Sequence, residues 1–338
     1  MTRHALVVRL DSQGDVLLAG PAVRAVAAGA HRVTLLCGPR GLAASELLPG
    51  VDELVCFRAP WIDPEPGPVE PAEVEALVSD LRGQEIEQAL ILTSFHQSPL
   101  PTALLLRLAG IPEVAAISED YPGSLLDVRH RVSDDLHEVE RALSLVGTLG
   151  YRLPSGDDGR LAVRVSPGAS PSGPYVVVHP GASVSSRAPS PAWTARLVGA
   201  LAAAGRRVLV TGASSERALT ARVAGAEGVD FGGETTFSEL AAVLAGADCL
   251  VAGNTGPAHL AAAVDTPVVS LFAPVVPALR WRPWGVPHVL LGDQHARCRG
   301  SRARTCPVAG HPCLDGIPHR AVVAAVDELA PARNEAAA

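Results

Sequence analysis

ALVVRLDSQGDVLLAGPAVRAVAA, residues 5–28, decides the fold. Its first six residues, Ala5 to Leu10, form a short and mostly apolar run that reads as a strand. Asp11-Ser12-Gln13-Gly14-Asp15 interrupts it, and from Val16 to Ala28 apolar residues recur at helical spacing. A strand, a tight Gly-containing turn and an amphipathic helix make the first half of a parallel βαβ unit.

The same rhythm continues outward. In the first half strands are expected at Arg32 to Cys37, Glu53 to Phe57, Gln88 to Leu92 and Glu113 to Ser118. Helices are expected near Glu70 to Arg82, Pro101 to Ala109 and Ser133 to Val146, with a Pro-rich loop from Ala59 to Pro71. In the second half, strands at Tyr175 to Val178, Arg207 to Val210, Cys249 to Val251 and Val268 to Leu271 alternate with helices at Pro191 to Ala203, Ser214 to Ala224, Thr236 to Ala245 and Pro257 to Ala263. Between the halves, the Gly, Ser and Pro of SPGASPSGP, residues 166–174, resist helix and strand alike. The expectation is therefore an α/β chain of two doubly wound parallel-sheet domains, 1–165 and 175–330, with a linker at 166–174 and a frayed tail at 331–338. Ligands of such sheets bind at the carboxyl ends of the strands, so a cleft between the domains is the expected substrate site.

Composition narrows the function. The 338 residues exceed one ordinary domain, and 48% hydrophobic against 19% charged residues excludes a disordered chain. A formal net charge of −7 disfavours broad attraction to nucleic acid or anionic membrane, so phosphate binding must be local. The 28 basic residues are all arginine. No apolar run reaches the ~18 to 20 residues needed to cross a bilayer, and Asp11 and Asp15 interrupt what would be a signal's apolar stretch. A cytosolic monomer is expected, free or peripheral at the inner membrane face. Six cysteines are too sparse for a disulfide scaffold, and Cys37, Cys56 and Cys249 are read as small buried apolar groups.

Three clusters can carry chemistry. Gly14 allows a tight turn and Asp15 falls at a helix N-terminus, where the dipole favours a carboxylate; the plain alternative is that Asp15 only caps the helix. In Val251-Ala252-Gly253-Asn254-Thr255-Gly256-Pro257-Ala258-His259-Leu260 a strand runs through a polar turn into a helix whose first-turn N–H groups suit a diphosphate. His259 lies one turn in, as a ligand contact or as an ordinary packed histidine. In His179-Pro180-Gly181-Ala182-Ser183 and Arg187, backbone amides near Gly181 and Ser183 can approach phosphates and Arg187 can donate two hydrogen bonds. No G-x-G-x-x-G occurs, which weighs against a dinucleotide cofactor.

R-L-D-S-Q-G-D-V-L-L-A-G-P-A-V-R-A from Arg9, then H-P-G-A-S from His179, then G-N-T-G-P-A-H-L-A-A-A-V-D-T-P-V-V-S-L-F-A-P from Gly253 and R-W-R-P-W-G from Arg280, resemble glycosyltransferase family 9, the lipopolysaccharide heptosyltransferases. The resemblance implies the GT-B fold, two Rossmann-like domains with the acceptor in the first and the nucleotide sugar in the second. It implies Asp15 as general base and Arg187, where the family usually has lysine, on the donor diphosphate. It further implies donor contacts at Gly181, Ser183, Glu216, Thr235, Asn254, Thr255, Gly256 and His259, with Asn254 standing where many members have Asp and therefore only binding. Gly14, His96, Gln97, Asp120, Tyr121 and Arg129 are acceptor-side candidates.

The implied reaction is inversion by single displacement, from a nucleotide diphosphate sugar such as ADP-heptose to a hydroxyl of a glycan, glycolipid or small metabolite. No cofactor and no metal are expected, and the sequence has no Asp-x-Asp triplet. A GT-B-fold sugar-nucleotide epimerase and a non-catalytic nucleotide-sugar-binding protein remain as alternatives. Cys298, Cys306 and Cys313, with His295, His311 and His319 nearby, are spaced poorly for zinc and are expected to be free thiols.

Overall fold

A computed structural model describes residues 3–94, 96–165 and 170–331. The chain divides into two compact units, 1–164 and 165–338. Ser166 to Ala169 of the expected linker and residues 332–338 of the expected tail lie outside the described residues.

Among the described residues, unit 1 holds six parallel strands: β1 (His4–Arg9), β2 (Arg32–Cys37), β3 (Glu53–Cys56), β4 (Gln88–Ile91), β5 (Glu113–Ile117) and β6 (Val128–His130). They lie in the order β3-β2-β1-β4-β5-β6. Unit 2 repeats this with β7 (Val176–His179), β8 (Val208–Gly212), β9 (Val229–Gly232), β10 (Cys249–Gly253), β11 (Val268–Leu271) and β12 (His288–Leu291), ordered β12-β11-β10-β7-β8-β9. Each sheet therefore reverses direction once, between β1 and β4 and between β7 and β10. Register pairs Val7 with Leu90, and His179 with Ala252.

Both faces of each sheet are covered, which is why the central strands read as near-continuous apolar runs. In unit 1, Leu6, Val8, Ala89, Ile91, Val114 and Ala116 pack with Leu77, Leu81 and Leu106 of helices Pro71–Gly83 and Leu100–Leu108. The alternate residues, Ala5, Val7, Leu90 and Ala115, are equally buried. Their strands meet helices Gln13–Gly29 and Glu138–Thr148, which also pack on each other. In unit 2, Val176, Val178, Val208, Val210, Val251 and Val269 pack with Trp193, Leu197 and Leu201 of helix Pro191–Ala203 and with Val322 and Val326 of helix His319–Leu329. The Trp193 indole N–H donates to the Ile317 carbonyl at 3.1 Å, tying the first of these helices to the segment that leads into the second.

Several expectations need correction. Three edge strands, β6, β9 and β12, and helix His319–Leu329 were not foreseen. The helix expected from Ser133 begins at Glu138, because His137 is its N-cap: the ring Nδ1 accepts from the Val139 N–H, and the Glu140 carboxylate takes the His137 N–H in return. Cys37 and Cys249 are buried, but Cys56 is exposed, since β3 is an edge strand and Cys56 is its last residue. All six cysteines are free thiols, and burial pushes Cys313 up to about 11.

Candidate functional site

Each unit gathers polar groups at the carboxyl ends of its strands beside the reversal of strand order, the place where open α/β sheets bind ligands.

In unit 1 the loops after β1 and β4 meet on one carboxylate. Asp15 is the third residue of helix Gln13–Gly29, and the residue at its N-cap position is Ser12, so the capping alternative for Asp15 does not hold. Its Oδ1 accepts from Arg9 Nη2 at 3.0 Å and from Ser94 Oγ at 3.1 Å, and its Oδ2 accepts from Ser12 Oγ at 2.8 Å. Its side chain remains 19% exposed, against 4% for Arg9. Arg9 ends β1, and its Nε lies 3.0 Å from Asp11 Oδ2. Burial pushes Asp11 up to about 6, with Arg9 opposing the shift and Asp15 and Glu138 adding to it. Gly14 is buried in the same first turn.

The remaining acceptor-side candidates divide. Gln97 is a structural joint: its Oε1 accepts from the Ser94 N–H at 2.9 Å and its Nε2 donates to Asp11 Oδ1. His96, next to it, is exposed and sits in the left-handed region at φ 77°. Arg129, on β6, spends its guanidinium on the carbonyls of Ser118 and Glu119. Asp120 accepts from Ser98 Oγ at 3.3 Å, and Tyr121 is 84% exposed.

In unit 2 the turns after three adjacent strands, β8, β7 and β10, hold most of the donor-side candidates. After β8 the turn Ser214–Glu216 folds so that Glu216 Oε2 accepts from the Ala213 N–H at 2.8 Å. That carboxylate lies so close to Gly181, after β7, that a Cβ on Gly181 would overlap Glu216 Oε1. His179 Nδ1 lies 3.1 Å from Thr211 Oγ1, and burial lowers the imidazole's proton affinity, with Glu216 acting in the opposite direction. Ser183 is exposed on this loop, and Thr235 is half-buried after β9.

Arg187 ends the short turn Ser185–Arg187. The Ser186 N–H and Ser185 Oγ both donate to the Arg304 carbonyl at 3.1 Å, and the Ser190 N–H donates to Asp315 Oδ1 at 2.8 Å. The turn is thus fastened to the last third of unit 2. The Arg187 carbonyl oxygen closes on Gly253, the last residue of β10, where any Cβ would collide with it. Beyond Gly253, Asn254 is 6% exposed and its Nδ2 has no protein partner. Thr255 stands at the N-cap position of helix Gly256–Ala263 in extended backbone, and His259 is buried one turn in. A helix N-terminus and a buried amide donor, with Arg187 carried on a turn whose backbone packs on Gly253, make an arrangement suited to a diphosphate and to a hydroxyl-bearing group attached to it.

Sequence reasoning missed Arg9 and Ser94 as partners of Asp15, and Glu138 as a further carboxylate beside Arg9. A signal for Arg9 was present: a charge ending a strand as apolar as Leu6-Val7-Val8 needs a buried carboxylate nearby. Among the described residues, no group of three or more His, Cys, Asp or Glu is arranged to hold a metal ion. No described helix is long and apolar enough to cross a membrane.

Residues 74–311 match the family model for glycosyltransferase family 9 (heptosyltransferase). The chain is 32% identical over 236 residues to lipopolysaccharide heptosyltransferase 1 of Pseudomonas aeruginosa, a match covering 67% of this chain and 65% of that protein. Matches to other curated heptosyltransferases cover about half of those proteins. The fold is similar to a glycosyl transferase family 9 protein from Veillonella parvula, with TM-score 0.76, 14% identity and 97% of each chain covered. It is also similar to E. coli heptosyltransferase WaaC with ADP-2-deoxy-2-fluoro heptose, with TM-score 0.73, 21% identity, and 96% of this chain and 99% of that chain covered.

Proposed function

The chain belongs to glycosyltransferase family 9, and from that premise we propose that it transfers a heptose or related sugar from ADP-heptose to a hydroxyl of a glycan, glycolipid or small-metabolite acceptor. The observation that carries this reading is the convergence of Glu216, Arg187, Asn254 and the N-terminus of helix Gly256–Ala263 on three neighbouring strand ends of unit 2. Such a cluster meets the needs of a nucleotide diphosphate sugar: positive charge for the diphosphate, a carboxylate for ribose or sugar hydroxyls, and a buried amide donor for one more oxygen.

Unit 1 supplies the base. Asp15 takes the proton of the acceptor hydroxyl as that oxygen attacks the anomeric carbon. The bond to the diphosphate breaks at the same time, and the leaving oxygen's new negative charge falls on Arg187 and the first-turn N–H groups at Gly256. One displacement inverts the anomeric centre. The charge of Arg187 and the oriented backbone dipoles do without a divalent cation. Arg187 rather than lysine gives a planar, forked donor, which favours two parallel bonds to one phosphate over a single point contact.

Calorimetric titration of the full chain with ADP-heptose, UDP-N-acetylglucosamine and GDP-mannose tests the donor assignment. The expected result is binding of ADP-heptose at least about tenfold tighter than either other sugar, a gap of about 1.4 kcal/mol. Equal or absent binding of all three would overturn it. Incubation with labelled ADP-heptose and the glycan and glycolipid fraction of the source cells then reports transfer.

A further inference from the structure

Two of the thiols face each other at the edge of a sheet. Cys37 is the last residue of β2 and Cys56 the last of β3, and the parallel register pairs them directly. Side chains alternate along a strand, and Leu36 and Val55 pack with the core on one face, so Cys37 and Cys56 share the other. Neighbouring strands stand about 4.7 to 4.9 Å apart, inside the range of about 4.4 to 6.8 Å that the Cα atoms of a disulfide span. The Cys37 thiol has the Cys56 and Ser45 side chains within hydrogen-bonding reach.

The two thiols differ in access. Cys37 is fully buried, with Ser45 of helix Leu42–Ser45 beside it, whereas Cys56 is exposed. Burial, with the Cys56 side chain adding to it, pushes the Cys37 thiol up to about 11, which makes it a poor target for reagents in solution. Strand β3 has a neighbour on one side only, so its end can turn toward Cys37 while the central strands stay in place.

We propose that Cys37 and Cys56 form a reversible thiol–disulfide site that reacts with small disulfides of the glutathione class and, when oxidised, staples the edge strand β3 to β2. Cys56 reacts first. Its thiolate attacks one sulfur of the small disulfide, and the other half leaves as a thiolate that takes up the proton Cys56 gave up. Cys37 then attacks Cys56 Sγ, loses its own proton, and expels the second half as a thiol. Two cysteine thiols thus give up two electrons and two protons, and one small disulfide becomes two thiols. The buried, seldom-ionised Cys37 makes the second step the slow one. An exposed disulfide is more readily reduced than a structural one, so excess reduced thiol reverses the reaction. The site uses none of the residues assigned to the donor or the base, and it stands whether or not the chain transfers sugar.

The test incubates the full chain with oxidised glutathione, traps free thiols with N-ethylmaleimide in denaturant at intervals over several hours, and maps the peptides by mass spectrometry. The expected result is a glutathione adduct on Cys56 that forms first and gives way to a Cys37–Cys56 cross-link, lighter than the reduced pair by two hydrogens and undone by reduced glutathione. In the cross-linked chain the Phe57 N–H, which donates to the Cys37 carbonyl at 2.9 Å, should exchange with deuterium more slowly than in the reduced chain. Cys37→Ala should hold the adduct on Cys56 without resolving it. Cys56→Ser changes an exposed residue and so keeps the proposal testable should Cys37→Ala fail to fold; it should leave Cys37 reduced throughout. An adduct that stays on wild-type Cys56 while Cys37 is still trapped as a free thiol after a day overturns the proposal. So do a Cys56 that never reacts, a cross-link from Cys56 to Cys298, Cys306 or Cys313 instead, and Phe57 exchange unchanged by the cross-link.

Discussion

Gly212→Ala puts the packing beneath Glu216 to the test. Gly212 ends β8, and a Cβ there would lie 2.6 Å from Thr220 Cγ2 and 3.3 Å from Glu216 Cβ. Ordinary contact begins near 3.4 Å, so 3.4 − 2.6 leaves 0.8 Å to be found. Thr220 is completely buried and its hydroxyl is bonded to the Arg217 carbonyl at 3.0 Å, so helix Arg217–Ala224 must move with it. The Glu216 turn leads directly into that helix and moves too. Overpacking of this kind costs about 1 to 3 kcal/mol of stability. Loss of one charge-assisted hydrogen bond to the donor adds about 1.5 to 3 kcal/mol in binding, roughly a ten- to hundredfold weaker ADP complex. Calorimetry with ADP and thermal unfolding read the two effects separately. Gly199→Ala, in helix Pro191–Ala203 with nothing within 4 Å of the new Cβ, is the control: it should stabilise by about 0.5 to 1 kcal/mol and leave ADP binding alone. If Gly212→Ala lowers the melting temperature yet binds ADP as the wild type does, Glu216 is not a donor contact.

Arg187→Ala should weaken ADP binding and slow transfer together, since charge on the diphosphate grows as the bond breaks, and Arg187→Lys should restore part of both; unchanged ADP affinity in the alanine variant removes Arg187 from the site. Transfer should survive exhaustive treatment with a chelator, and stoichiometric metal lost together with activity would contradict the metal-free mechanism. Asp157, gripped by Arg24 through contacts of 2.6 and 2.8 Å, is held below the usual carboxylate range first by that hydrogen bonding. A depressed carboxylate contributes stability that is full above its unfolded value and is lost as pH falls through its folded one. Asp157→Asn should therefore melt lower than the wild type at pH 7, and the gap should close below about pH 3.8; a gap independent of pH would show that the charge is not what matters.

The central strands were legible because a parallel strand buried on both faces must be apolar at every position, as at Val176-Val177-Val178. The edge strands were not: Val128-Arg129-His130 is only half-buried, and Val229 and Asp230 of β9 are exposed, so neither carries that signature. The start of the helix at Glu138 escaped because histidine is an uncommon cap, and its acceptor role depends on the ring's tautomer. Asp15, Arg187 and Asn254 could be singled out because each lies in the loop or first helical turn beyond a strand, whereas Glu216 came only from the resemblance to the family. The contacts that tune them could not. Ser94 and Glu138 reach Asp15 and Arg9 from remote segments only once the sheet has put β1 beside β4 and the helix after β6 has folded back. The approach of the Arg187 carbonyl to Gly253 likewise needs β7 and β10 side by side.

The most direct test of Asp15 as the base is Asp15→Asn, assayed for transfer of labelled sugar from ADP-heptose to the glycan and glycolipid fraction of the source cells and, in parallel, for ADP-heptose affinity. The amide is isosteric, and Asp15 is not the helix cap, so the fold has little reason to change. The expected result is transfer reduced by about 10² to 10⁴-fold with ADP-heptose affinity within about twofold of wild type, the loss typical of a missing general base. Transfer retained within about tenfold of the wild type would contradict the assignment, being too small a loss for a missing general base.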